Sequence, residues 1–525
     1  LLCAAVPTSL FAQTDTFDES FGLHGKTLLG FEGFSSRSFD VAVQADSKIL
    51  LGGAIYKDPT GQAALVRLLP DGTPDSTFGM HGKVVTFMGN GVYVFTAEVL
   101  VQPDGRIILV GVVSAAASNK LFMLRFNPDG TPDNTFGTNG KMVTTNADGS
   151  IANVAHAVLQ PDGKIVVSGS IDNGASGQDV IVLRVLASGK LDNTFDLDGK
   201  AVTNLGSVND VGRALALQPD GRIVVAGWKD VEQFSSKSDL VLLRYLPDGS
   251  LDESFGDLGI VIASFSEVQD HAHDVLVLPD GDILMTGFFQ VPVGNYDFTL
   301  VKYHPDGTPD TNFGNGGLRQ YDLGSQYDTS LRLGRQTDGK IVLVGSTDYD
   351  ATLGYPPLAV LRLNPDFSPD STFGVNGVLK NGAGSVIGDA GYASGLAFQP
   401  DGKILIVCDE ASDSTGRFHF CALRISTRID VGVLDFTDLK ITPRVCPNPV
   451  LAEATLQYTL ERDEHLTVTL HDLNGRLLHT CLNNAPRKTG EHRETVAIPA
   501  SLPTGAYVLS IGNGRQRFGV KMLKQ

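Results

Sequence analysis

Tryptophan occurs once in these 525 residues, and charged side chains make up only 19% of them. No stretch gathers Lys and Arg into a basic run, and the formal net charge is −18. Nucleic acids and anionic membrane surfaces both need a positive patch to neutralise phosphates, so neither is an expected partner. No run of about 20 apolar residues is present, which excludes a transmembrane helix. Five cysteines are too few to build so long a chain as a disulfide scaffold. Helical periodicity is missing as well. So are the His-Glu-x-x-His zinc motif, the Gly-x-Ser-x-Gly elbow, the phosphate loop and the Ser-x-Asp-x-Gly-x-Thr-Trp box. No catalytic residue is therefore expected, and a non-enzymatic role is the first expectation.

What the chain has in plenty is turn chemistry, with 59 glycines and 25 prolines. It also repeats itself. The tag Asp-x-x-Phe recurs with a period near 58 residues, its Asp at Asp18, Asp75, Asp133, Asp192, Asp252, Asp310 and Asp370. Its Phe falls at Phe21, Phe78, Phe136, Phe195, Phe255, Phe313 and Phe373, usually followed by Gly, as in Gly79. A fixed period of this length sets the architecture before any single residue suggests a chemistry.

One unit reads as four strands. Residues 97–102 are apolar, Pro103-Asp104-Gly105 is a tight turn, and residues 106–111 form a continuous apolar run. A variable loop leads to 121–126, and a turn carrying the tag leads to 141–144. Four short antiparallel strands repeated seven times predict an all-β, seven-bladed β-propeller over residues 14–426. The first copy begins with its tag, and the last ends on a third-type strand at residues 422–425. The strand at residues 25–29 is therefore expected to complete the last blade and close the ring.

A basic residue recurs on the third strand: Arg67, Arg125, Arg184, Arg244, Lys302, Arg362 and Arg424. Its regularity points to a structural ion pair with the tag Asp rather than to an anion site, since active sites break symmetry. The tag Phe is expected to plug the core. Strand alternation puts the regular Pro-Asp-Gly turns on one face of the disc and the irregular loops on the other. The irregular loops carry Tyr56, Trp228, Phe234, Phe288, Phe289, Tyr296, Tyr349 and Tyr355, suited to sugar rings or peptide side chains.

One matched position near the start of each inner strand varies freely: Asp40, Glu98, His156, Ala214, Asp274, Arg332 and Gly395. Asp210, Asp270, His271, His273 and Asp328 lie just upstream. This mixed set is expected at the channel mouth on the irregular face, binding a polar ligand or a metal, or merely hydrating the pore. His271 and His273, two apart on a strand, should share a side. No cofactor is predicted. Calcium is weighed only at the Asp-Gly turns, where a ligand-dense loop is lacking.

The order of the three recurring motifs resembles the delta-60 repeat family of bacterial β-propellers: Gln-Pro-Asp-Gly-Lys-Ile, Leu-x-Arg-x-x-Pro-Asp-Gly, then the tag. The resemblance covers residues 15–425 and implies an extracellular or surface repeat protein without assigning an activity.

Residues 1–13 are apolar and end in small residues, as does the tail of a secretory signal peptide. The period stops after a linker at 427–440. Residues 441–525 show alternating strands and predict a small immunoglobulin-like β-sandwich. Its anchors are Pro447, Asn448 and Pro449, then Leu470–Arg476 with Gly475, then Gly505 and Tyr507 before Lys521. They resemble the C-terminal sorting domain of the Bacteroidetes type IX (Por) secretion system. That resemblance implies the type IX machinery as a partner and an extracellular or outer-membrane surface location. Cys446 and Cys481 depart from its usual pattern and suggest a bridge. The expected function is a glycan- or protein-binding scaffold. The alternatives are a hydrolase or lyase using the channel carboxylates, and a purely structural surface component.

Overall fold

The computed structural model describes residues 17–524 apart from 58–59, 116–117, 145–149, 173, 175–176, 232–236, 290–295, 349–356, 381–389, 412–416, 427–443, 447–449, 461–462, 472–476, 501 and 513–516. The expected signal segment, the linker, Phe234, Tyr349, Tyr355, Pro447, Asn448, Pro449 and Gly475 lie outside the described residues. The chain divides into two compact units, Leu1–Thr427 and Arg428–Gln525.

Among the described residues, the first unit contains seven four-stranded antiparallel sheets. Their first strands are Ser35–Val43, Tyr93–Val101, Ser150–Leu159, Asp210–Leu217, Asp270–Val277, Thr329–Arg335 and Ala390–Phe398. Each packs beside the first strand of the next sheet, and the seventh packs beside the first, so the sheets form a closed ring of blades around a channel. The seventh blade takes its outer strand from the chain's beginning. Lys26–Leu29 pairs with Phe418–Ile425, in register from Lys26↔Leu423 to Leu29↔Phe420.

The second and third strands of each blade are covered on both faces by their neighbours. This is why Ile107–Ala115 and Ile165–Asp172 read as apolar runs rather than alternating strands. The tag Phe of every blade is buried, from Phe21 to Phe373. The third-strand Arg holds three things at once. Arg125 Nε donates to Asp133 Oδ2 at 2.7 Å, Nη1 donates to the Ala187 carbonyl of the next blade at 2.6 Å, and the guanidinium lies 4.7 Å over the Phe136 ring. The same Arg–Asp bond recurs at Asp75, Asp192, Asp252 and Asp370, and at Asp18 the pair with Arg424 is an ion pair at 2.9 Å. In the fifth blade Lys302 takes the place of Arg, 3.0 Å from Asp310, and Arg319 covers Phe313 instead.

The second unit is a two-sheet sandwich. Arg444–Cys446, Glu453–Leu460 and Gly490–Ala497 form one sheet. Leu477–Arg487, Glu464–His471, Gly505–Gly512 and Arg517–Lys524 form the other. Leu456, Tyr458, Leu466, Val468, Leu470, Leu509 and Ile511 fill the space between them. Gly505 opens its strand, and buried Tyr507 donates its hydroxyl to the Pro503 carbonyl at 2.7 Å. The Cys481 thiol is free among the described residues, and the Cys446 side chain of the expected bridge lies outside them.

Candidate binding site at the channel waist

A single local irregularity repeats around the ring. Each inner strand skips register against its neighbour, between Ser38 and Asp40, Thr96 and Glu98, Val154 and His156, Gly212 and Ala214, Ala272 and Asp274, Ser330 and Arg332, and Ala393 and Gly395. This is a β-bulge, which re-aims side chains and strengthens local twist. Six glycines make room for it. A Cβ on Gly53, Gly111, Gly169, Gly227, Gly287 or Gly345 would come within 2.3 Å of an inner-strand carbonyl. The bulge sits in mid-strand, so the matched residues ring the waist of the channel rather than its mouth.

At the waist, Asp40 Oδ2 accepts the Val99 N–H of the next blade at 2.7 Å, and its carboxyl hydrogen-bonds Glu98. Burial, only partly offset by the Val99 and Val41 N–H groups and Arg332, raises Asp40 to about 6. Burial and the neighbouring Asp40 charge hold Glu98 well above the usual carboxylate range. The two hydrogen-bonded carboxyls therefore hold a proton more readily than free carboxylates do. Asp274 is satisfied differently, by the backbone N–H groups of Val275 and Leu333 at 2.8 Å each.

His156 Nε2 lies 3.7 Å from Glu98 Oε2. Burial, with the charges of Arg332 and Arg213, pushes His156 down to about 3. Burial and Arg213 do the same to His273. Both imidazoles are neutral, and the Nδ1 of each is buried without a hydrogen-bond partner. Arg213, one residue before its matched position, was invisible to a period-2 reading. The bulge lets two successive residues face inward, and the offset it shares with His273 was the available signal. Burial and the Arg332 charge lower Arg213 to about 10.

His271 does not join His273 at the waist. It stacks on Trp228 of the preceding blade, centroids 4.3 Å apart, in a ladder that continues through Phe288 and Tyr296 to Tyr327. Ring faces within the ladder are covered by one another, and Tyr327 at its end is half exposed. Phe289 is fully buried, and Tyr56 donates its hydroxyl to the Val94 carbonyl at 2.6 Å.

Asp210, Asp270 and Asp328 do not join the waist ring either. Each closes the loop entering its blade, accepting the backbone N–H of Leu205 at 2.6 Å, Phe265 at 2.6 Å and Leu323 at 3.0 Å. Among the described residues two groups have metal-ligand proximity: Asp282, His304 and Asp310, and Asp297, Asp322 and Asp328. The Lys302 ammonium already lies 2.6 Å from Asp282 in the first, and the Ser325 hydroxyl bonds Asp328 in the second.

Six segments, 44–78, 102–136, 160–195, 218–255, 278–313 and 336–373, match the family model described as "Domain of unknown function (DUF5122) beta-propeller". The chain carries DUF5122 propeller repeats. A comparison with curated proteins gave no match. Among solved structures, a catalytically inactive virginiamycin B lyase from Staphylococcus aureus is similar over 76% of this chain and 99% of its own, at 11% identity and TM-score 0.41. A polysaccharide lyase, Uly1, is similar over 74% and 90%, at 12% and 0.44. A puromycin hydrolase is similar over 81% of this chain but only 58% of its own, at 14% and 0.41. At such values these likenesses carry no argument about activity.

Proposed function

We propose that this chain is a binding propeller, exported to the cell surface or beyond, that holds an extracellular glycan or protein through its irregular face and the channel beneath. The observation that supports this is the waist itself: one backbone device, repeated around the ring, carries Asp, Glu, His, Ala, Asp, Arg and Gly in turn. A rigid repeated scaffold with unlike side chains at one position has the form of a site, whereas the tags have the form of a fastener. The unit at 441–525 serves, in this reading, as the type IX sorting signal. A glycan and protein array probed with the full chain tests the binding role. Signal lost in an Arg332→Gln variant that melts normally supports it, and a blank array against every surface fraction rejects it.

A second reading has one specific observation behind it. Asp40 and Glu98, hydrogen-bonded to each other and both raised above the usual carboxylate range, form an acid–base pair of the kind hydrolases and lyases use. Turnover of a bound glycan that disappears in Glu98→Gln would favour it; binding without turnover would reject it.

A further inference from the structure

The waist holds three carboxyl groups and two guanidinium groups, yet they do not pair. Among the described residues neither Arg213 nor Arg332 reaches a carboxylate at ion-pair distance. Arg332 Nη1 donates instead to the Leu331 carbonyl at 3.2 Å. The carboxyls are occupied elsewhere, Asp40 with Glu98 and a neighbouring N–H, Asp274 with two N–H groups. Elsewhere in the same ring the third-strand Arg of six blades pairs with a carboxylate, so the waist arginines depart from the fold's own habit. The bases are also gathered. His156, Arg213, His273 and Arg332 come from four consecutive blades, with Asp274 among them next to His273, while Asp40 and Glu98 come from the first two.

We propose that the channel waist is a site for a saccharide acid, whose carboxylate docks between Arg213 and Arg332 beside the orphan Nδ1 atoms of His156 and His273, and whose hydroxyls face Asp40 and Glu98. Arginine matches a carboxylate in planar, two-point fashion, and the site is shielded from bulk water, so such a pair is strong. The two neighbouring guanidiniums repel each other, and Asp274, whose charge reaches both, offsets only part of this, so an incoming anion relieves the rest. A sugar acid carries its carboxylate and several hydroxyls on one rigid ring, matching a basic half and a proton-holding carboxyl half together. A peptide chain end offers the carboxylate without the hydroxyls.

This inference rests on the binding-propeller reading, and the test separates the two. Titrating the full chain calorimetrically with trigalacturonate should show binding, and neutral galactotriose should show none. Arg213→Gln and Arg332→Gln should each weaken binding at least tenfold. Because Arg213 makes no ion pair and feels both the repulsion of Arg332 and the attraction of Asp274, Arg213→Gln should leave the melting temperature unchanged. A lower melting temperature with binding intact would make Arg213 a structural group and overturn the proposal. So would equal binding of galactotriose, or binding only of a peptide acid whose amide fails. If the acid does not bind but a surface array finds another ligand, the waist proposal falls and the binding reading stands. A blank array removes both.

Discussion

Arginine plays two opposite parts here, and the difference lies in what surrounds each guanidinium. Arg125 is buried among a carboxylate, a carbonyl and an aromatic face, so every donor it points inward is used. Its partner ring fills the blade interface, and Phe136→Ala should cost about 3–5 kcal/mol in denaturant unfolding, as large core truncations do. The carboxylates likewise split in two. Burial raises Asp75, but the Thr77 hydroxyl, its N–H and Arg67 outweigh it and hold the group at about 2. That stability is present above the unfolded value near 4 and is lost only as pH falls toward 2. The waist pair runs the other way. With both carboxyls raised, Asp40 to about 6, the folded state binds more protons than the unfolded one from about pH 4 up through 6. Its contribution is full below about 4 and is lost as pH rises through 6. The neutral histidines have the opposite slope, but they are common to wild type and Glu98→Gln. The difference in melting temperature, wild type minus variant, should therefore fall between pH 4 and 7. A flat difference would mean the two carboxyls hold a proton no more readily than free carboxylates do.

At the scale of the element, the blades could be read from the chain because turn residues and apolar runs recur in phase, and each signal is local. The bulge could not, because register is a relation between strands. A single inserted residue in the inner strand leaves no mark in its own composition. Its trace was in the partner strand, where glycine recurs at Gly111, Gly169 and Gly227 with no turn to justify it. The bulge sets Asp40 and Arg332 at mid-channel rather than at the mouth, parts His271 from His273, and brings Arg213 to the waist. The loop-closing role of Asp270 was equally beyond reach, since nothing in spacing distinguishes an acceptor for a backbone N–H from a ligand. Gly111→Ala tests the bulge directly. A methyl within 2.3 Å of the Phe95 carbonyl must displace backbone, and overpacking of this kind costs about 1–3 kcal/mol. The seventh blade has Cys408 at the equivalent place, directly across from Cys421, with the two sulfurs 3.1 Å apart. Refolding with glutathione disulfide, which would take up two electrons and the two thiol protons, should link them. A mass two daltons lower than the reduced chain reports the bond; unchanged mass with both thiols alkylatable after unfolding contradicts it.

The molecule as a whole depends on one seam. Six blades are continuous in the chain, and each buries its faces only because a neighbour is present on either side. The seventh borrows Lys26–Leu29, whose pairing with Phe418–Ile425 joins residues about 400 apart in sequence. Phe21 and Leu29 pack in one cluster with Leu51, Leu405 and Phe420, and Arg424 Nε reaches Asp18 at 2.9 Å. Both ends of the ring thus share one core and one ion pair, and opening either exposes the first blade and the last together. Deleting residues 14–31 should abolish the single cooperative thermal transition of this unit, replacing it with a broad, earlier loss of structure. Loss of a segment can fail for dull reasons, so a rearranged chain sharpens the test. Moving residues 17–31 to follow residue 426 keeps every strand but makes the last blade continuous, transferring the seam to the junction of two complete blades. If the borrowed strand matters as a strand, the rearranged chain should recover a cooperative transition that the deletion lacks. If the deletion alone melts as sharply as the intact protein, ring closure contributes nothing to stability.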